Sequence, residues 1–366
     1  MPIPNIDIMR GSGMTEPTSV QESVLEANRL RRFARTVFER AGMPPDDADI
    51  LAEQLVWADL RGIPALGVAK IPQYLPRLRM GGTAAVAEPS LLAEKGGFLV
   101  FDGHDGFGQV VGFKVMRQVV QRAHTTGISS AVVRNTTSAG ALGRFAMQAV
   151  DEQMIGLAIN NGPVLMTAPG GADKVVGNQA FAIASPAGNH HPIVLDMAVS
   201  GIAMARIHEY EARGEDLPPG LAVTVDGLPT VDPAEALKGS LVPMGGHRGF
   251  GLAFMWEMLT GILSGGPGFT TELGWPAESA KPQGVSMLLI AIDPSVSIPY
   301  TEYAARADQL VDRIHDSRAA AGSGRPTVPG ERSVERMARR QADGIPIPAK
   351  LLTELTNIAE EAGVTL

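Results

Sequence analysis

Glycine and proline punctuate this chain from end to end, 42 and 27 of its 366 residues. Together they make up about a fifth of it, above the roughly 12% of an average protein. Because they are not pooled in one linker, they read as many short elements joined by tight turns rather than as disorder. The chain is long enough to bury a large core in one big or two ordinary domains.

Composition closes several functional classes. The absence of cysteine excludes a disulfide framework, thiolate zinc, iron–sulfur clusters and a cysteine nucleophile. Lys+Arg 31 against Asp+Glu 39 gives a net charge of −8, so no global positive field gathers nucleic acid or an acidic membrane. Aromatics at 5% leave no platform for stacking bases. The longest apolar run, Met287 to Ile292, is far below the roughly 18 residues of a membrane span. No basic start followed by an apolar block opens the chain, so no secretory signal is read. Gly11-Ser12-Gly13 before Met14 reads as an expression remnant, and disorder is expected over residues 1–20. The expectation is a cytoplasmic, acidic, globular protein.

Periodicity then sets the elements. Leu25, Leu30, Phe33 and Val37 recur at helical spacing in a run that Gly42 stops. Pro44-Pro45-Asp46-Asp47 opens a second helix through Ile50, Leu51, Leu55 and Ala58, with acids in its first turn. A shorter helix covers Ile71 to Arg79, with Pro72 in its first turn. The period changes at strand Gly97–Phe101, followed by a helix from Gln109 to Thr126 and a strand from Ile128 to Val133. Helix Leu142–Met154, strand Ile155–Ile159 and a glycine-rich loop Asn160–Gly171 come next. Phe181–Ala184 and Ile193–Leu195 read as paired strands, Ile202–Arg213 as a helix and Gly249–Leu263 as a buried helix. Val285–Ile292 is a strand and Tyr303–His315 a helix; an extended Ile345-Pro346-Ile347-Pro348 precedes the terminal helix Leu351–Ala362. This alternation, flanked by helices at both ends, argues an α/β fold. Segments 21–85 and 300–366 are expected to pack together beside a domain over 86–299.

One motif imitates a dinucleotide fingerprint. Strand Phe98–Phe101 is followed by Gly103, Gly106, Gly108 and Gly112 and then a helix, an arrangement that brings backbone N–H groups to a pyrophosphate in other folds. Its spacing is wrong, and Arg134 stands at the end of the next strand where a ribose-binding acid belongs. The glycines are read as a tight turn. His190-His191 also suggests metal, but no partner stands at ligand spacing, so no metal site is expected.

Motifs along most of the chain carry a resemblance. They are Ala58-Asp59-Leu60-Arg61-Gly62-Ile63 with Gly67 and Tyr74, Asn135-Thr136, Gly140-Ala141-Leu142-Gly143 and Asn161. Ala168-Pro169-Gly170-Gly171, Leu195-Asp196-Met197-Ala198, Gly245-Gly246-His247-Arg248-Gly249 and Val328-Pro329-Gly330-Glu331-Arg332 follow. In this order the chain resembles the malate/L-lactate dehydrogenase family, which includes sulfolactate, ureidoglycolate and diketogulonate dehydrogenases and ketimine reductases. The resemblance implies a non-Rossmann mixed-sheet α/β fold, a homodimer, and NADH or NADPH bound in the 86–299 domain. Its members move hydride between that cofactor and a small 2-oxo or 2-imino acid.

Departures from the family pattern fall at the reactive centre. The family's Ser-His-Gly reads Ala65-Leu66-Gly67, so its presumed proton-carrying histidine is Leu66. A second family histidine falls on Ser138, and the arginine four residues after the first is Lys70. The Gly-Thr-Asn-Pro segment is Gly177-Asn178-Gln179-Ala180, and the usual lysine before Gly249 is Arg248. The resemblance places Asn135, Ser138, Asn161, Pro169, Gly170, Gly171, Asn178, Asp196, Arg248 and Gly249 at the cofactor. It leaves Tyr74, Lys70 and His247 as candidate catalytic groups.

A positioned acid typically contributes about 10²–10⁴-fold, and leucine offers no proton. Three readings stay open. The substrate already carries the proton, as a protonated imine does; or Tyr74, Lys70 or His247 replaces the histidine; or the protein is a non-redox enzyme or ligand-binding protein that keeps the fold. Each residue also has a plain alternative: Tyr74 as a packed helix residue, Lys70 as a solvated charge, Asp196 as a cap on the next turn, and His247-Arg248 as a loop-to-helix turn.

Overall fold

The computed structural model describes residues 22–86, 88–266 and 273–366. The expected disorder over 1–20 and the Gly11–Gly13 remnant lie outside them. The first elements are β1 (Glu22–Leu25), α1 (Ala27–Arg40), α2 (Pro45–Arg61) and α3 (Ile71–Arg79). Leu25, read from its spacing as helical, instead pairs antiparallel with Ile345. The extended Ile-Pro-Ile-Pro segment offers it a partner, and a paired strand outweighs one more helical turn. Helix α2 ends at Gly62, which adopts φ 82 as a left-handed cap. Two single turns, Pro64–Leu66 and Val68–Lys70, separate it from α3.

A large sheet follows, built from β2 (Ser90–Lys95), β3 (Phe98–Gly106), β4 (Ile128–Thr136) and β5 (Ile155–Asn160), with α4 (Gly108–Thr126) and α5 (Gly143–Asp151) between strands. The segment Asn160–Gly171, expected as one loop, contains β6 (Val164–Thr167), which pairs with β7 (Lys174–Gly177). Then come β8 (Phe181–Ser185), β9 (Ile193–Met197), α6 (Met204–Arg213), β10 (Ala222–Val223), β11 (Pro229–Thr230), α7 (Pro233–Lys238) and β12 (Ser240–Leu241). Helix α8 (His247–Glu257) passes into a π-helical turn, Met258–Ile262. The chain closes with β13 (Val285–Ile292), α9 (Tyr300–His315), α10 (Glu331–Asp343), β14 (Ile345–Pro348) and α11 (Ala349–Ala362).

The sheet runs β2-β3-β4-β13-β5-β8-β9. Strand β13 sits at its centre because its largely apolar sequence is buried on both faces. Only β3 and β4 are parallel, joined by α4; the other pairs are antiparallel, so the sheet is mixed. One face packs against α4 and α5 around Val115, Phe145, Met287 and Leu289. The other packs around Val132, Ile159, Phe181 and Leu288 against the smaller sheet β11-β10-β12-β6-β7 and helices α6 and α8. Both chain ends form a third core, in which Leu30, Phe33, Leu51 and Tyr74 meet Ile345, Ile347, Leu355 and Ala359. Each large side chain fully buried there contributes about 1.5–3 kcal/mol.

Two expectations shift. Helix α9 does not join that terminal core; its Asp308 instead gathers the backbone N–H groups of Gly188, Asn189 and His190 at the far end of the sheet. Segment Gly249–Leu263 is not buried all round: Leu252, Phe254, Met255, Met258, Ile262 and Leu263 face outward, Phe254 at 55% exposure. One face of α8 serves the core through Ala253 and Trp256, and the other is an apolar surface patch.

Candidate active site

Several of the residues singled out from the sequence lie along one end of the large sheet. The ends of β4, β5 and β9 and the starts of β13 and β8 lie side by side there. Thr136 Oγ1 donates to Val285 O, Ser286 N–H donates to Asn161 Oδ1, and Asn160 N–H donates to Ala180 O. Asn135, Ser138, Asn161, Asn178 and Asp196 therefore belong to one row of loops. Asn135 takes φ 55, and its Nδ2 donates to Asp102 Oδ2 at 2.9 Å. Arg134 also pairs with Asp102 at 3.0 Å, so neither side chain stands free.

Above this row sits the turn that carries Leu66. Leu66 packs on a small apolar cluster of Trp57, Ala58 and Ala141, with Ile63, Met147 and Met337. Asp59 holds the turn from below: its carboxylate accepts the Val68 N–H at 2.8 Å, and a Cβ on Gly67 would meet that carboxylate at 2.1 Å. Burial pushes the Asp59 carboxyl up to about 7. Asp196 accepts the Gly143 N–H at 2.8 Å and so caps the start of α5. Burial pushes it up to about 6 against the opposing pull of that bond and of Arg61. Lys70, at the start of α3, is half-buried and donates to Gln73 Oε1 at 3.1 Å. Burial holds its ammonium below its ordinary value, and among the described residues no carboxylate pairs with it.

Tyr74 lies one turn beyond Lys70 and is buried against Phe107, ring centroids 5.2 Å apart. Its hydroxyl accepts from Gln109 Nε2 at 2.7 Å, and burial pushes it up to about 12, so it keeps its proton at neutral pH. Gln109 Oε1 is buried without a partner. Ser138 donates its backbone N–H to Gln283 Oε1 at 3.0 Å, and Gln283 Nε2 is likewise buried and unpartnered. Gln109 and Gln283 carry no motif, and neither was legible from spacing.

Pro169, Gly170 and Gly171 line a cleft of about 290 Å³ with Thr167, Asp226 and Gly246. Gly245 and Gly246 both adopt positive φ, 59 and 62, and deliver the chain into α8. The side chains of His247 and Arg248 at its first turn are exposed and, among the described residues, unpaired, while Gly249 is buried against Met244 O. A Cβ on Gly170 or Gly246 would meet nothing within 4 Å. Open backbone, a helix N-terminus and a free guanidinium fit the phosphate end of a dinucleotide. Gln179 differs. It takes φ 31, is fully buried, and donates to Glu257 Oε2 at 2.6 Å.

The Gly103–Gly112 motif serves packing. A Cβ on Gly108 would come within 2.3 Å of Thr137 O, and one on Gly112 within 2.8 Å of the Phe145 ring. These glycines let α4 lie directly on the loop that carries Ser138.

Comparison with known proteins agrees with this architecture. A sequence profile of the malate/L-lactate dehydrogenase family matches residues 25–356. The chain is 34% identical to L-sulfolactate dehydrogenase of Methanocaldococcus jannaschii over 94% of its own length and 98% of the relative's. The solved structure of that enzyme superposes with a TM-score of 0.89 at 33% identity, covering 94% of this chain and 98% of the other. Malate dehydrogenase of Pyrococcus horikoshii is 33% identical over 96% and 99% of the two chains. The Δ1-pyrroline-2-carboxylate/Δ1-piperideine-2-carboxylate reductase of Pseudomonas syringae pv. tomato is 30% identical over 96% and 99%. With a mixed-sheet fold that superposes on a solved relative and full-length matches to named oxidoreductases, this chain belongs to the malate/L-lactate dehydrogenase family of enzymes.

Proposed function

We propose that the protein is an NAD(P)H-dependent reductase that passes hydride to a small 2-imino acid, with 2-oxo acids as poorer substrates. The observation that carries this reading is Leu66 among Trp57, Ala58 and Ala141, an apolar wall where the family pattern has a proton carrier. A carbonyl gains a full negative charge on oxygen as hydride arrives, and an apolar wall does nothing for it. A protonated imine loses its charge in the same step and needs no acid. Bound reduced nicotinamide would supply the hydride.

The protein's own groups would then divide the remaining work. Pro169, Gly170, Gly171, Gly246 and Arg248 hold the phosphates, with His247 beside them. Lys70 holds the substrate carboxylate, which supplies the anion its half-buried ammonium lacks. Tyr74, keeping its proton, positions Gln109 rather than donating. Asp196 and Asn135 hold the loops through Gly143 and Asp102. The outward face of α8, with Phe254 and Met255, is the surface on which a second copy would dock to form a homodimer.

Fluorescence titration with NADH and NADPH, followed by reduction of Δ1-piperideine-2-carboxylate against pyruvate, tests the reading. Saturable binding of one cofactor and at least about a hundredfold preference for the imine are expected, the range one general acid contributes. Binding of neither cofactor would overturn it. A second reading, a ligand-binding protein without redox chemistry, draws on Gln179 turned inward onto Glu257, and that outcome would favour it.

A further inference from the structure

The far end of the large sheet, away from the loops that carry Asn161 and Asp196, bears a file of isoleucines. Ile292 of β13 pairs with Ile128 of β4 on one side and with Ile155 of β5 on the other. Gly156 pairs with Ala184, which brings Ser185 beside Ile155, and Ser185 pairs with Ile193 of β9. Residues paired across antiparallel strands share a face, so five neighbouring strands present Ile, Ile, Ile, Ser and Ile in one row. Strands stand about 4.8 Å apart, so the four spacings make a row about 19 Å long. On β13 that face continues to Ile290 and Leu288, which pack into the core under the smaller sheet, whereas the row itself lies past that core. Helix α9 runs alongside. Tyr303, Arg306, Ala307 and Leu310 form one stripe of it, and with the row and the turn at Val296 they line a cavity of about 950 Å³. Ile128, Val296 and Leu310 are exposed at 53%, 73% and 57%, so the cavity is open to solvent.

Small-molecule sites have volumes in this range and apolar walls set with a few polar groups. The polar groups here are quickly accounted for. The Tyr303 and Ser185 hydroxyls bond to each other at 2.7 Å. Asp293 spends Oδ1 on the Ser295 N–H at 2.8 Å. Arg306 pairs with Glu302 of its own helix, an exposed pair of the kind that holds little energy. We infer that this trough is a binding site for a free aliphatic carboxylate, whose chain lies along the isoleucine row and whose carboxylate meets the Arg306 guanidinium. Shape argues for a linear chain: a compact ring would leave most of a row about 19 Å long bare. Charge argues for an acid, because Arg306 is the lining cation and its present partner is solvent-exposed. None of these residues lines the cleft of Pro169, Gly170 and Gly171, so the site stands apart from the one assigned to the cofactor.

Calorimetry with decanoate below its micellar concentration, against hexanoate and decanol, tests the site. Decanoate should bind saturably, and hexanoate at least about tenfold more weakly, since each methylene buried adds to affinity. Arg306→Gln should weaken decanoate by roughly three- to tenfold and leave decanol unchanged. Ala307→Trp fills the trough from a half-buried position on α9 and should abolish binding of both. Leu310→Asp puts a charge at the exposed mouth and should weaken both by at least about tenfold, which keeps the site testable if Ala307→Trp fails to fold. Absence of decanoate binding to the wild type overturns the inference, as does binding that Leu310→Asp leaves unchanged. A molecular mass in light scattering that falls on Leu310→Asp also overturns it, because a second copy would then occupy the trough. Decanoate binding does not depend on NADH or NADPH, so this result and the cofactor titration fail or succeed separately.

Discussion

Replacing Asp59 by asparagine isolates the electrostatic load stored under the Leu66 turn. The Asp59 carboxyl is pushed from an ordinary 3.8 up to about 7 by burial, only partly offset by the Val68 N–H and Arg340. Ionising it in the folded protein therefore costs about 4 kcal/mol, at 1.36 kcal/mol per unit. From about pH 4 to about pH 7 the unfolded chain releases this proton while the folded chain keeps it, so stability falls as pH rises and levels off above about 7. Asp196, pushed up to about 6, adds a similar but smaller decline that ends sooner. Between about pH 6 and about pH 7 the decline thus belongs mainly to Asp59. Asparagine retains a carbonyl oxygen for the Val68 N–H and cannot ionise. Asp59→Asn should match the wild type within about 1 kcal/mol near pH 4 and exceed it by up to about 4 kcal/mol above pH 8. Urea unfolding at a series of pH values, with midpoints compared at constant m, measures this directly. Parallel pH profiles for the two proteins would refute the reasoning.

Lys70→Met should raise KM for acidic substrates by roughly 10- to 100-fold with little change in cofactor affinity, measured by steady-state kinetics and fluorescence. Gly108→Ala forces a methyl to 2.3 Å from Thr137 O, so a loss of about 1–3 kcal/mol is expected in thermal or urea unfolding. Met255→Asp places a charge on the outward face of α8, the surface proposed for a second copy, so light scattering should give a folded monomer where the wild type gives a dimer.

Much of the fold was legible because its signals are local and mutually consistent. The run Val285–Ile292 was read as a strand and is one, since an apolar stretch of that length fits only the sheet centre. Gly42 and Gly127 end helices as expected, with φ 100 and 74. Leu25 and β6 were misread because pairing partners distant in sequence decide them. Helix α10 escaped notice: its thirteen residues carry four arginines and bury none fully, so no apolar stripe announces it. At the site, the altered histidine positions were visible as text, yet what fills them was not. Leu66 is read in the sequence as a missing imidazole, whereas its apolar neighbours come from α2 and the loop before α5. Gln109 and Gln283 stand 174 positions apart, and nothing in their flanks marks them.

Strand β1 zips onto β14, and the Arg29 guanidinium reaches the backbone carbonyl of Leu366. The segment that carries Leu66, Lys70 and Tyr74 is thus sealed by one made long after it. On the ribosome, α1 to α3 must wait with an oily flank uncovered until Ile345, Ile347 and Leu355 emerge. That flank, in the helices that emerge early, is what a chaperone would grip.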